Sequence, residues 1–355
     1  MTTAAHDSQG ETDPAPPAPA AGVPPPADRR VPWWRAPRVF AGYSAVLAAV
    51  FLLFGWLMPI TPTDSWGHLA YGRILWERGV FPLPATEPLM PLAEGVPFVD
   101  TAWLSQLSGY AAYRGAGLAA LRFLYAAGVT ACVGLLLWRM YSRVRNWWLP
   151  LAGAALFLWV DWIQLEVFRP QLAGLVCFLA LWFVLTARRW SRANWIVVPA
   201  IFALWANLHG SFPVGLAVLA CFLVGRAVDV ERHSRQIGWI VFDRQVQRYF
   251  FLLELAAAAA LLNPYGPGLY AEVFSFAAHP NLGDLSEWRP LTLEMTQGTV
   301  AGITALVLVF LYRLTPRRIS AIEVLVLVVL GFVAMRTSRF VVWWAPVAAY
   351  YAVLH

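Results

Sequence analysis

Residues 59–79 read PITPTDSWGHLAYGRILWERG and gather Asp64, His68, Arg73, Glu77 and Arg78 into one stretch of a chain that is only 13% charged. As a helix, the stretch sets Asp64, His68, Tyr71 and Leu75 on one face, because their spacings follow the helical repeat. A carboxylate and an imidazole one turn apart can take up and relay a proton, or contribute to a divalent-metal site. The plainer alternative makes Asp64 the N-cap of the helix, which TPTDSW suits, and His68 an interfacial polar group.

Other candidates lie far away in the chain. Asp100 stands just ahead of TAWLSQLSGYAAY, as an N-cap or a substrate-binding group. Arg169, in EVFRPQL, has Glu166 as a nearby ion-pair partner. Asn207 and His209, in the tight turn NLHGS, are candidate substrate-binding groups facing the same cavity or simply turn residues. Arg336 and Arg339, in MRTSRF, sit between two apolar runs, where a cation is costly unless it is paired or snorkels to the surface. Arginine suits bidentate contact with a phosphate, so Arg169, Arg336 and Arg339 are candidate anion ligands.

The elements that must position these groups are membrane helices. The 355-residue chain is 59% hydrophobic and holds 19 Trp, and its apolar residues fall in long blocks. Blocks of about 20 residues suit a hydrocarbon core about 30 Å thick. The expected fold is all-α, a polytopic transmembrane bundle of about ten spans at 38–58, 116–138, 147–161, 171–187, 195–207, 212–228, 249–262, 299–313, 319–335 and 339–355. Short interfacial helices are expected at 66–78 and 101–113, inside the long loop 59–115, and again after Asn263-Pro264. Residues 1–37, rich in Pro and Ala, read as a disordered cytoplasmic tail ahead of the membrane domain 38–355.

All 26 basic residues are Arg, and most of them fall in the loops on the side of the N-terminal tail. The positive-inside rule then makes the N-terminus cytoplasmic and puts Asp64, His68, Asp100, Asp161 and His209 on or opening to the extracytoplasmic face. Loop arginines account for the net charge of +6 without any nucleic-acid partner. Cys132, Cys177 and Cys221 lie inside apolar runs and read as small hydrophobes rather than a disulfide framework.

DSWGHLAYGRIL followed by VDTAWLSQLSGY resembles the first outer loop of the GT-C superfamily of membrane glycosyltransferases. That superfamily includes protein O-mannosyltransferases and lipid A aminoarabinose transferases, and the chain is similar to an uncharacterised bacterial multi-span subgroup of it. The resemblance implies an enzyme of a bacterial cytoplasmic membrane that transfers a hexose or pentose from a polyprenyl-phosphate donor on the extracytoplasmic face. It implies Asp64 as proton acceptor, with His68 beside it. Ser65 stands where many members carry a second acid, and the apolar run ending at His355 is expected of a minimal or shortened version. No metal ligand set emerges from the sequence, and the cofactor is left open between none and a divalent ion. A lipid or solute transporter and a catalytically silent scaffold are the competing functions. The expected partners are the lipid-linked donor and the surrounding lipids.

Overall fold

The computed structural model describes residues 36–60, 62–144, 146–277 and 279–355, and the tail expected at 1–37 lies almost wholly outside them. Among the described residues the chain is all-helical, with a single isolated bridge between Thr86 and Pro97 and no strand.

Each of the ten apolar runs forms a helix, and among the described residues five helices have the length and hydropathy to cross a membrane. They are α1 (Pro37–Leu52) with its π-helical continuation Leu53–Leu57, α3 (Trp103–Tyr141), α4 (Trp148–Leu165), α7 (Phe212–Ser234) and α10 (Thr296–Leu314). The others are α5 (Gln171–Leu185), α6 (Asn194–Leu208), α8 (Arg244–Ala259), α11 (Ala321–Arg336) and α12 (Val341–Leu354). With 14 to 16 residues each, they rise roughly 21–24 Å, less than a core of about 30 Å. These lengths are consistent with an integral membrane protein built from helices of unequal length.

α12 is the centre of the bundle. All its residues but Ala352 are buried, and it packs against α3, α4, α5, α10 and α11. A helix that is apolar all round belongs inside a protein rather than at its surface. Close backbone approach holds other pairs: a Cβ on Gly225 of α7 would lie 2.5 Å from the backbone of Ile322 on α11. In lipid, where apolar surface alone gives little drive to associate, such small-residue contacts carry the packing.

Two further helices are additions at one end. α2 (Pro62–Arg78) closes at Gly79, whose φ of +85° favours glycine. α9 (Pro267–Ala277) follows the NPYG turn. The expected helix 101–113 is continuous with the next span in α3, broken only by a kink at Ala116 and Gly117, where Gly117 has φ +59°.

Candidate functional site

α2 is pressed against the first turns of α3. A Cβ on Gly72 would sit 2.1 Å from the carbonyl oxygen of Gln106, so only glycine permits this approach. Ser65 Oγ donates to the Phe168 carbonyl at 2.8 Å and fixes the start of α2 to the α4–α5 link. α2 begins at Pro62, so Asp64 lies within its first turn and not ahead of it, which removes the capping role. Asp100 does not cap α3 directly; its Oδ1 accepts at 3.0 Å the N–H of Ala102, the residue just before the helix starts.

A cavity of about 530 Å³ opens beside this hairpin. α2 contributes His68 and Tyr71, the segment entering α3 contributes Asp100 and Gln106, and the α6–α7 turn contributes His209 and Ser211. Arg169 and Gln171 reach it from the start of α5, Arg339 from the turn before α12, and Trp288 from the loop before α10. Sequence positions 68, 100, 169, 209 and 339 thus meet around one space.

Its cationic side is a chain of ion pairs. Arg169 Nε lies 2.7 Å from Asp64 Oδ2, a close approach without the geometry of a directed hydrogen bond. Glu287 then bridges two arginines, accepting from Arg169 Nη1 through Oε2 and from Arg339 Nη1 through Oε1. Arg339 Nε also donates to Gln171 Oε1 at 3.1 Å, and its guanidinium lies 5.6 Å from the Trp288 ring centre. Burial works against the Arg339 cation, and Glu287 offsets it. Removing one member of such a partly buried chain costs about 3 kcal/mol, because a partner charge is left unpaired.

The other side holds titratable groups without cations. Asp100 is 4% exposed; burial, reinforced by the nearby Glu87 charge, pushes its carboxyl up to about 6. Burial also pushes His68 down to about 4, with the Asp64 charge opposing it and Arg339 and Arg169 assisting. His209 is lowered to about 3 by burial, with Arg339 and His68 adding to it. Both imidazoles are therefore neutral at pH 7. His209 Nδ1 accepts the Ser211 backbone N–H at 3.2 Å, which places its own proton on Nε2. Gln106 Nε2 approaches His68 Nδ1 at 3.3 Å. Tyr71 stacks on Phe98 with centroids 5.4 Å apart and donates to Glu87 Oε1 at 2.8 Å.

Several expectations are corrected. Arg336 is exposed at the end of α11 and does not line the cavity, because the extended Thr337 turns the chain between it and Arg339. Asn207 is a brace: its Oδ1 accepts from Trp103 Nε1 at 2.9 Å, and its Nδ2 donates to the carbonyls of Ala203 and Leu262. Arg169 pairs with Asp64 and Glu287, not with Glu166. Asp161 does not open to this end; it is fully buried in α4, with no hydrogen-bond partner for either oxygen among the described residues. Glu287, Gln171 and Gln106 were missed as site residues, and no local pattern marks them. Among the described residues no three His, Cys, Asp or Glu side chains converge as metal ligands. Compared with known proteins, the chain matches no family model, no curated protein and no solved structure.

Proposed function

We propose that the protein is a membrane glycosyltransferase of GT-C type, moving a hexose or pentose from a polyprenyl-phosphate donor to an acceptor hydroxyl. The observation that carries this reading is the meeting, in one cavity at an end of the bundle, of an arginine pair and a carboxyl with no cationic partner among the described residues. Arg169 and Arg339 hold the donor phosphate and stabilise it as it leaves. The aromatic faces of Tyr71 and Phe98 suit a sugar ring, and a carboxylate takes the acceptor proton. A cavity of about 530 Å³ is in the range of small-ligand sites. The distribution of Arg supports a cytoplasmic N-terminus and an extracytoplasmic cavity, and the GT-C resemblance implies a bacterial cytoplasmic membrane. The ten helical runs and the interfacial α2 fit the GT-C architecture.

The test is incubation of the purified protein with a panel of polyprenyl-phosphate hexoses and pentoses, detecting released lipid phosphate. Release from at least one donor is expected, and release from none overturns the reading. A second reading, transport, is favoured by Asp161 inside α4, whose carboxyl has no hydrogen-bond partner among the described residues, since ionisable groups at membrane depth often mark a substrate path. Uptake of a polyprenyl phosphate into proteoliposomes that Asp161→Asn abolishes would select it.

A further inference from the structure

The cavity borders two acids of very different surroundings, and the glycosyl-transfer reading needs one proton acceptor. We propose that this acceptor is Asp100, and that Asp64 is a positioning residue that holds Arg169. The proposal rests on the glycosyl-transfer reading of the cavity.

Geometry separates the two acids. Asp64 does not line the cavity, and its Oδ2 is taken up by Arg169 at 2.7 Å. A carboxylate pinned to a guanidinium is a poor base, because the cation stabilises the charged form that would have to be neutralised. Asp100 lines the cavity, is almost wholly buried, and pairs with no cation among the described residues. Its Oδ1 is held by the Ala102 N–H, and its own backbone N–H donates to Tyr265 Oη at 3.0 Å. The carboxyl is therefore fixed in place while burial raises its basicity towards the operating pH of a general base.

The groups around Asp100 favour this role. His68 and Tyr71 face it from α2, Glu87 from the loop between α2 and α3, and Tyr265 from the turn before α9. Glu272 on α9, His209 after α6, Arg169 before α5 and Arg339 before α12 line the same cavity. The two arginines carry the positive charge, and both are tied to Glu287, which leaves Asp100 without a paired cation among the described residues, in a cavity it shares with two neutral imidazoles.

The step balances as follows. The acceptor hydroxyl oxygen bonds to the anomeric carbon while its proton passes to a carboxylate oxygen of Asp100. The bond from the anomeric carbon to the phosphate oxygen breaks, and its electron pair leaves with the lipid phosphate held by Arg169 and Arg339. Asp100 then returns the proton to water.

The experiment follows steady-state transfer from pH 5 to 8 by the full chain, using whichever panel donor the wild type turns over. Asp100→Asn keeps size and the Ala102 hydrogen bond, and it should lower kcat at least about a hundredfold at unchanged donor KM. The acid limb of the wild-type profile, centred near about 6, should be absent from its residual activity. Asp100→Glu keeps a proton acceptor and should retain that limb at a reduced rate, so the test survives if the Asn variant folds poorly. Asp64→Asn should raise donor KM through Arg169 and leave the limb in place. Asp100→Asn within threefold of wild type, or a limb lost only in Asp64→Asn, would overturn the assignment while leaving glycosyl transfer intact. Failure of the wild type with every donor would overturn both.

Discussion

The two ends of the bundle are both rich in arginine, yet they use it differently. At the end opposite the cavity, Arg226 makes a two-point contact with Asp243 at 2.7 and 3.1 Å, and Asp243 also caps α8. There Asp229 accepts the Ala321 N–H that starts α11, and Arg317 Nη1 donates to the Leu354 carbonyl at 2.6 Å. An open groove of about 710 Å³ exists at that end too, but its Arg226–Asp243 pair and Asp229 are committed to helix ends. At the cavity end, Arg169 and Arg339 converge on Glu287 and still face a shared space with Asp100 and His68. The density of charge does not mark a site. Charge that faces a void from several chain segments does.

The largest way to break that contrast is to remove the wall. Gly72→Val forces α2 away from the Gln106 carbonyl, costing about 3 kcal/mol or more. The expected result is a lowered melting temperature in detergent together with loss of donor binding, and an unchanged melt would show that α2 is not docked as described.

Next in size is the anion site. Arg339→Gln should weaken binding of a polyprenyl phosphate about a hundredfold, measured by displacement of a labelled lipid, while membrane insertion stays intact. Equal affinity would reassign Arg339 to bracing the α11–α12 turn.

The pH dependence sharpens the comparison from the other wall. His68 and His209 have folded values of about 4 and about 3, below the ordinary 6.5. Stability from keeping them neutral is complete above pH 6.5 and is lost as pH falls through this window, since the unfolded chain takes up protons that the folded one refuses. Asp100, raised to about 6 from 3.8, acts in the opposite sense, because its protonation favours the folded chain. Two imidazoles outweigh one carboxyl, so the melt should weaken by about 1.4 kcal/mol per pH unit for each net proton. Thermal melts between pH 6.5 and 4 should show this loss, and Asp100→Asn should steepen it. A flat profile would mean that the cavity groups are solvated.

The smallest effect belongs to the opposite end. Arg226→Gln removes a partly exposed pair and should cost about 1 kcal/mol of stability. Its donor affinity should equal that of the wild type, and a loss would extend the functional region beyond the cavity.

How much of this was legible in the sequence follows from what each feature depends on. The ten helical runs were readable because apolar blocks persist over many residues. Their lengths were not, since caps such as Pro170 and Thr186 shorten α5 to 15 residues without lowering its hydropathy. His68, Asp100, Arg169, His209 and Arg339 were legible because polar residues at span ends on one side have few places to go. Arg336 looked equivalent to Arg339, but one extended residue, Thr337, sends the two side chains to different surroundings. Asn207 is defined by three hydrogen bonds, two of them to residues at least 55 positions away, which no spacing reveals. Glu287 reaches Arg169 across 118 positions, whereas Glu166, only a turn away in sequence, ends α4 without meeting it.

The most direct test of the central claim is the rate of lipid-phosphate release from a polyprenyl-phosphate sugar, measured side by side for the wild type, Arg339→Gln and Arg226→Gln in proteoliposomes. Release by the wild type and Arg226→Gln, with a fall of about a hundredfold in Arg339→Gln, is the result expected if the cavity end is the glycosyl-transfer site. Equal rates for all three, or no release by the wild type with any donor, would contradict it.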